Sequence, residues 1–137
     1  MKYKFFVLIF MLTSNLLFAQ TQSYNVVFDL TSGDSVDHQS LIRWIKAIST
    51  SHPDAKLEVV FYGQSLNMVS KNKSAVENDV KELLANKSVD LKVCGAAMKR
   101  HHVDKSELIA GVDIVPDGIY EIIKKQQEGW GYIKVSH

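Results

Sequence analysis

Apolar and polar positions alternate along the chain in two periods, and the switch between them marks the elements. Tyr24-Asn25-Val26-Val27-Phe28-Asp29-Leu30 is short, apolar and rich in strand formers, which predicts a buried first strand. After the polar turn Thr31-Ser32-Gly33-Asp34-Ser35, apolar residues recur at Leu41, Trp44, Ile45 and Ile48. That spacing is one face of a helix, with Asp37 as its expected N-cap. Pro53 ends it, because the residue before a proline is driven out of helical geometry. Leu57 to Tyr62 reads as a second strand, followed by Gln64 to Val69, which is either a loop or a short extended piece. Ser74-x-x-Glu77 has the form of a capping box, and Val76, Val80, Leu83 and Leu84 give the next helix its apolar face. Asp90 to Cys94 is a third strand, Gly95 to about His102 a short helix, and Asp104-x-x-Glu107 a second capping signal. Val112 to Val115 is a fourth strand, halted by Pro116-Asp117-Gly118. A last helix carries Ile119, Ile122 and Ile123 on one face and ends at Gly129, the expected C′ residue, and Trp130 to Val135 is a final strand.

Strand and helix therefore alternate with no repeat, low-complexity tract or linker. This predicts a single α/β domain with a mostly parallel five-stranded sheet and helices on both faces. In such sheets ligands gather in crevices beyond the carboxyl ends of the strands. Cys94, Asp29 to Asp34 and Tyr62 to Gln64 all fall at such ends.

The 137 residues are enough for one domain with a real core. The first residues read as an address: Lys2 and Lys4 precede the apolar run Phe5 to Leu12, and Ala19 is a small residue suited to cleavage. Residues 1–19 are expected to be a signal peptide and 20–137 the mature domain, periplasmic or secreted. The run is too short and interrupted to predict a stable membrane span. Without residues 1–19 the chain holds 14 basic and 15 acidic groups, a formal charge of −1. Such a balance supplies no bulk attraction for nucleic acid, which is not expected as a partner.

Export makes the single cysteine more informative. Cys94 has no partner in the chain, so it is buried and inert, paired between chains, or a reactive thiol. Placed where a strand ends and a helix begins, it would meet unpaired N–H groups and the positive end of the helix dipole, which favour a thiolate. Gly95, Lys99, Arg100 and His101 follow it as candidate support for a thiolate or an anionic ligand. The competing reading makes Cys94 a small core hydrophobe and the basic residues a solvated face. Cys94, His101 and His102, with His38 or Asp104, could also be assembled into a zinc or copper site, although their spacing matches no dense ligand motif. No resident metal or cofactor is expected. His38 is expected to face solvent at the mouth of the first strand's loop. No nucleophile elbow, CxxC pair, dinucleotide fingerprint or P-loop is present.

Val93-Cys94-Gly95-Ala96-Ala97-Met98-Lys99-Arg100 is similar to the segment in which sulfurtransferase members of the DsrE/DsrF-like sulfur-relay family hold a sulfur-accepting cysteine. Val115-Pro116-Asp117-Gly118 and Gln127-Glu128-Gly129-Trp130-Gly131-Tyr132-Ile133 resemble a small, often exported subgroup, and the similarity runs from Tyr24 to His137. The resemblance implies a three-layer α/β domain that assembles into homotrimers or homohexamers. It also implies that Cys94 carries persulfide between sulfur donor and acceptor proteins or small sulfane-sulfur species. Trp44, Trp130, Tyr120 and Tyr132 are more large aromatics than the periodic faces require, which agrees with oligomerisation, Trp44 being the readier of the two tryptophans to place in the core. The alternatives are a non-catalytic module binding a small ligand or a protein in the strand-end crevice, or a Cys/His metal carrier.

Overall fold

The structure is a computed structural model that describes residues 23–136. The expected signal peptide, residues 1–19, lies outside the described residues. Five strands, β1 (Asn25–Leu30), β2 (Lys56–Phe61), β3 (Val89–Cys94), β4 (Asp113–Val115) and β5 (Gly131–Val135), form one sheet. Every pairing is parallel and the order is β4-β3-β2-β1-β5. Four helices connect them: α1 (Ser35–Ser51), α2 (Glu77–Ala85), α3 (Gly95–His101) and α4 (Gly118–Gln127).

The strand order explains the layers. From β1 to β4 the chain steps one way across the sheet, and right-handed crossovers place α1, α2 and α3 on one face. Leu41, Ile42 and Ile45 of α1, Val80 and Leu83 of α2, and Ala97 and Met98 of α3 share a core with Phe28, Leu30, Leu57, Val59, Phe61, Leu91 and Val93. The return from β4 to β5 then carries α4 alone over the opposite face, where Ile122 packs on Val27 and Val60.

That second face is partly polar, and it corrects one expectation. Ile119 and Ile123 do not share a buried face with Ile122; they are 57% and 44% exposed. Glu121 is buried beside Ile122 instead, because the strands beneath offer charge. Lys92 Nζ lies 2.8 Å from Glu58 Oε2 and 3.0 Å from Glu121 Oε1, and Lys125 Nζ lies 3.4 Å from Glu58 Oε2. Neither Glu58 oxygen accepts a hydrogen bond of good angle among the described residues. At 2.8 Å, however, the ammonium is well within charge-pairing distance, so the contact is an ion pair.

Local competition decides the caps. α1 begins two residues before Asp37, since the Asp34 side chain already accepts from Val36 N at 2.7 Å; Asp37 is buried in the first turn. The Ser74–Glu77 box does not form. Ser74 Oγ accepts from Val76 N at 3.2 Å, Val76 becomes the N-cap, and Glu77 pairs with Lys81 at 2.7 Å. The Asp104–Glu107 box is present in full, on a 3₁₀ turn at Lys105–Glu107. The undecided stretch after β2 is a 3₁₀ helix, Gly63–Val69. Trp44 is 37% exposed, so it is less a core residue than the half-buried Trp130.

Candidate functional site

Cys94 closes β3 and is the N-cap of α3, with extended backbone. Its side chain meets the first turn of α4, where a Cβ on Gly118 would lie 3.6 Å from the sulfur, and it is 6% exposed. Phe61 pairs with Val93, which puts Tyr62, the next residue after β2, beside Cys94. Two glycines allow the chain to close around it. A Cβ on Gly95 would lie 3.2 Å from the Val115 carbonyl oxygen, so the start of α3 approaches β4 more closely than a side chain there allows without a shift of a few tenths of an ångström. A Cβ on Gly118 would lie 2.9 Å from Val60 Cγ1 and 3.0 Å from Cys94 Cβ, so the first turn of α4 rests directly on the cysteine. Asp117 caps that turn by accepting from the backbone N–H groups of Ile119 and Tyr120.

Next to this pair lies a polar cluster at the carboxyl ends of β1 and β2 and on β5. The Tyr132 hydroxyl donates to Asp29 Oδ2 at 2.7 Å, and Lys134 Nζ donates to Asp29 Oδ1 at 3.1 Å and to Thr31 Oγ1 at 3.0 Å. Asp29 itself is 5% exposed. The hydrogen bond to Asp29, then burial, push the Tyr132 phenol up to about 12. Tyr62 is pushed up as well, by burial first and then by Asp29, with Tyr132 and Cys94 adding to it. Both phenols stay protonated at neutral pH, and Tyr62 is the one that neighbours the cysteine. The polar residues of this face were visible as Asp29, Glu58 and Lys92 inside otherwise apolar strands. Period-two alternation, applied to those three, was the signal that could have found it.

The expected supporting residues sit elsewhere. Lys99, Arg100 and His101 occupy the last turn of α3. At 1.5 Å of rise per residue the lysine and arginine are roughly 7–9 Å along the helix from the cysteine. There they complement the negative end of the helix dipole. His38 is not solvent-facing but 4% exposed, its Nε2 2.9 Å from the Ser32 carbonyl oxygen, because α1 starts early enough to turn it under the β1 loop. Among the described residues no group of three or more His, Cys, Asp or Glu side chains is arranged to hold a metal ion. No helix among them is long and apolar enough to cross a membrane.

A model of the DsrE/DsrF-like family matches residues 25–135. No curated protein matches the chain. Among solved structures, the chain is similar to the protein of unknown function MTH1491 from Methanobacterium thermoautotrophicum, at 29% identity and a TM-score of 0.77, covering 82% of this chain and 99% of that one. It shares its fold with the protein of unknown function BT1422 from Bacteroides thetaiotaomicron, at 15% identity and a TM-score of 0.69 over 85% of this chain and 99% of that one. The same holds for the ychN protein from E. coli, at 15% identity and a TM-score of 0.65 over 83% of this chain and 99% of that one.

Proposed function

The chain belongs to the DsrE/DsrF-like family, which is associated with sulfur relay, and we propose that it is an exported sulfur carrier whose persulfide is held on Cys94. The observation that carries this reading is the position of the only cysteine, at the carboxyl end of a central-region strand and under a glycine that starts α4. In loading, the Cys94 thiolate attacks the outer sulfur of a donor persulfide. One S–S bond forms, the donor's S–S bond breaks, and the donor leaves as a thiolate with the electron pair, so no external oxidant or reductant is needed. Unloading is the same exchange toward an acceptor thiolate. With no second cysteine to resolve it internally, the sulfur goes to another molecule.

Tyr62 is the phenol beside Cys94, while Tyr132 gives its single hydroxyl proton to Asp29 and so holds that carboxylate in place. Lys99, Arg100 and His101, in the last turn of α3, have no part in holding the sulfur in this reading. Exposed Ile119, Tyr120, Ile123 and Tyr132 support assembly of copies into a trimer or hexamer. Light scattering on the purified protein tests that assembly, and N-terminal sequencing after export tests cleavage near Ala19.

Replacing Cys94 by serine should abolish sulfur loading from polysulfide while leaving the folded spectrum intact. Equal loading of the serine variant overturns the reading. The 6% exposure of Cys94 favours one competitor, a non-catalytic binding module of the same fold. It predicts a Cys94 that neither loads nor reacts with alkylating reagents in the folded protein.

A further inference from the structure

On the other side of the sheet from the Cys94 sulfur, an open groove of about 530 Å³ runs between the end of α3 and the outer border of β4. Three independent features meet there. The first is an unpaired strand edge. β4 ends the sheet order and pairs only with β3, so its other edge has no strand partner among the described residues. Such an edge is a template for an added strand unless shortness, charge, a bulge or a covering element blocks it, and β4 offers three residues to pair.

The second is a floor and a rim of opposite character. Buried Met98, half-buried Val103 and Ile114, which is 39% exposed, form an apolar floor. Lys99 and Lys105 line the rim, and Arg100 follows Lys99 in the last turn of α3. The side chains of these three make no ion pair or hydrogen bond among the described residues. The one rim carboxylate, Asp104, is engaged in its capping box with Ser106 and Glu107.

The third is local strain. His102 ends α3 at φ 53° and ψ 40°, a left-handed position that glycine adopts freely and an L side chain does not. The Schellman-type closure, Val103 N to Met98 O at 3.0 Å, holds this backbone position, and His102 lines the groove.

We propose that this groove is a docking site for an extended, acidic segment of a partner protein, which adds as a strand to the free edge of β4. Backbone pairing at β4 supplies the affinity, apolar side chains of the segment rest on Met98 and Ile114, and its carboxylates meet Lys99, Lys105 and Arg100. A nucleic acid would satisfy the charges but neither the unpaired backbone edge nor the apolar floor. The inference does not depend on the chemistry of Cys94, and it holds for a binding module as well as for a sulfur carrier.

The test uses ¹⁵N-labelled protein and the synthetic peptide acetyl-Glu-Val-Asp-Val-Glu-Val-amide, with hexaglutamate and an oligothymidine as charge-only probes. The peptide should shift the amide signals of Asp113, Ile114 and Val115 and slow their hydrogen exchange, with a Kd below about 1 mM. The paired substitution Lys99→Glu with Lys105→Glu, both at exposed positions, should weaken it by roughly tenfold. The Cys94→Ser protein should bind the peptide as well as the parent. Absence of shifts at β4, shifts without slowed exchange there, equal binding by hexaglutamate or oligothymidine, or an unchanged Kd in the charge-reversed variant each overturns the proposal.

Discussion

Gly118 lies so close to Cys94 that a methyl group on its Cα would stand 3.0 Å from the cysteine Cβ and 3.6 Å from its sulfur. Two segments far apart in the chain meet here, the end of β3 and the start of α4. Any side chain at position 118 must displace Cys94, Val60 or the helix itself.

Gly118→Ala is therefore expected to destabilise the fold by about 1–3 kcal/mol, the range for overpacking a closed site. Adding Val60→Ala, which removes the atom 2.9 Å from the new methyl group, should recover part of that loss. Denaturant unfolding of the two single variants and the double variant measures the coupling. Simple additivity of the two losses would show that the contact is not tight.

The charges beneath α4 make a pH-dependent prediction. Glu58 is fully buried, and burial raises its pKa against the pull of Lys92 and Lys125. A carboxyl raised in the folded state contributes stability that is fully present below its unfolded pKa and is lost as pH rises through the folded value. Removing the paired ammonium pushes Glu58 up further. Lys92→Met should accordingly lose on the order of 3 kcal/mol at pH 7, and visibly less at pH 5, where Glu58 can take up a proton. Unfolding curves at the two pH values check this, with equal losses counting against a buried, uncompensated carboxylate.

At the alkaline end the sign is that of a phenol held neutral. Tyr132 has a folded pKa of about 12 against an ordinary value of 10, so its contribution is whole below pH 10 and disappears as pH rises toward 12. Spectrophotometric titration of the folded protein should show a late component that Tyr132→Phe removes. Asp29→Asn should bring that component to lower pH, since the hydrogen bond to Asp29 is its largest cause.

The alternation of strands and helices was readable because each strand is an apolar run bounded by turn residues, and the five runs became the five strands. The caps were less readable, because a capping sequence competes with its neighbours. Asp34 took the role expected of Asp37, and Ser74 turned its hydroxyl to Val76 rather than to a helix N3 position. Asp104 met no such rival. Cys94 could be placed at a strand end from its position alone. Its surroundings could not, since Gly118 is brought to it by the crossover of α4, and Tyr62 by the β2–β3 register. The misjudged face of α4 has the same origin. Three apolar residues suggested an apolar floor, whereas Glu58 and Lys92 gave the helix a charged one, which Glu121 and Lys125 answer.

The assignment of sulfur transfer to Cys94 stands or falls on intact-mass spectrometry of the folded protein before and after polysulfide, followed by an alkylation chase across pH. The expected result is a protein one sulfur atom heavier, the added sulfur located on Cys94 and removed by an acceptor thiol. A mass unchanged by polysulfide, with Cys94 unlabelled until the protein is unfolded, would make Cys94 a core residue and contradict the assignment.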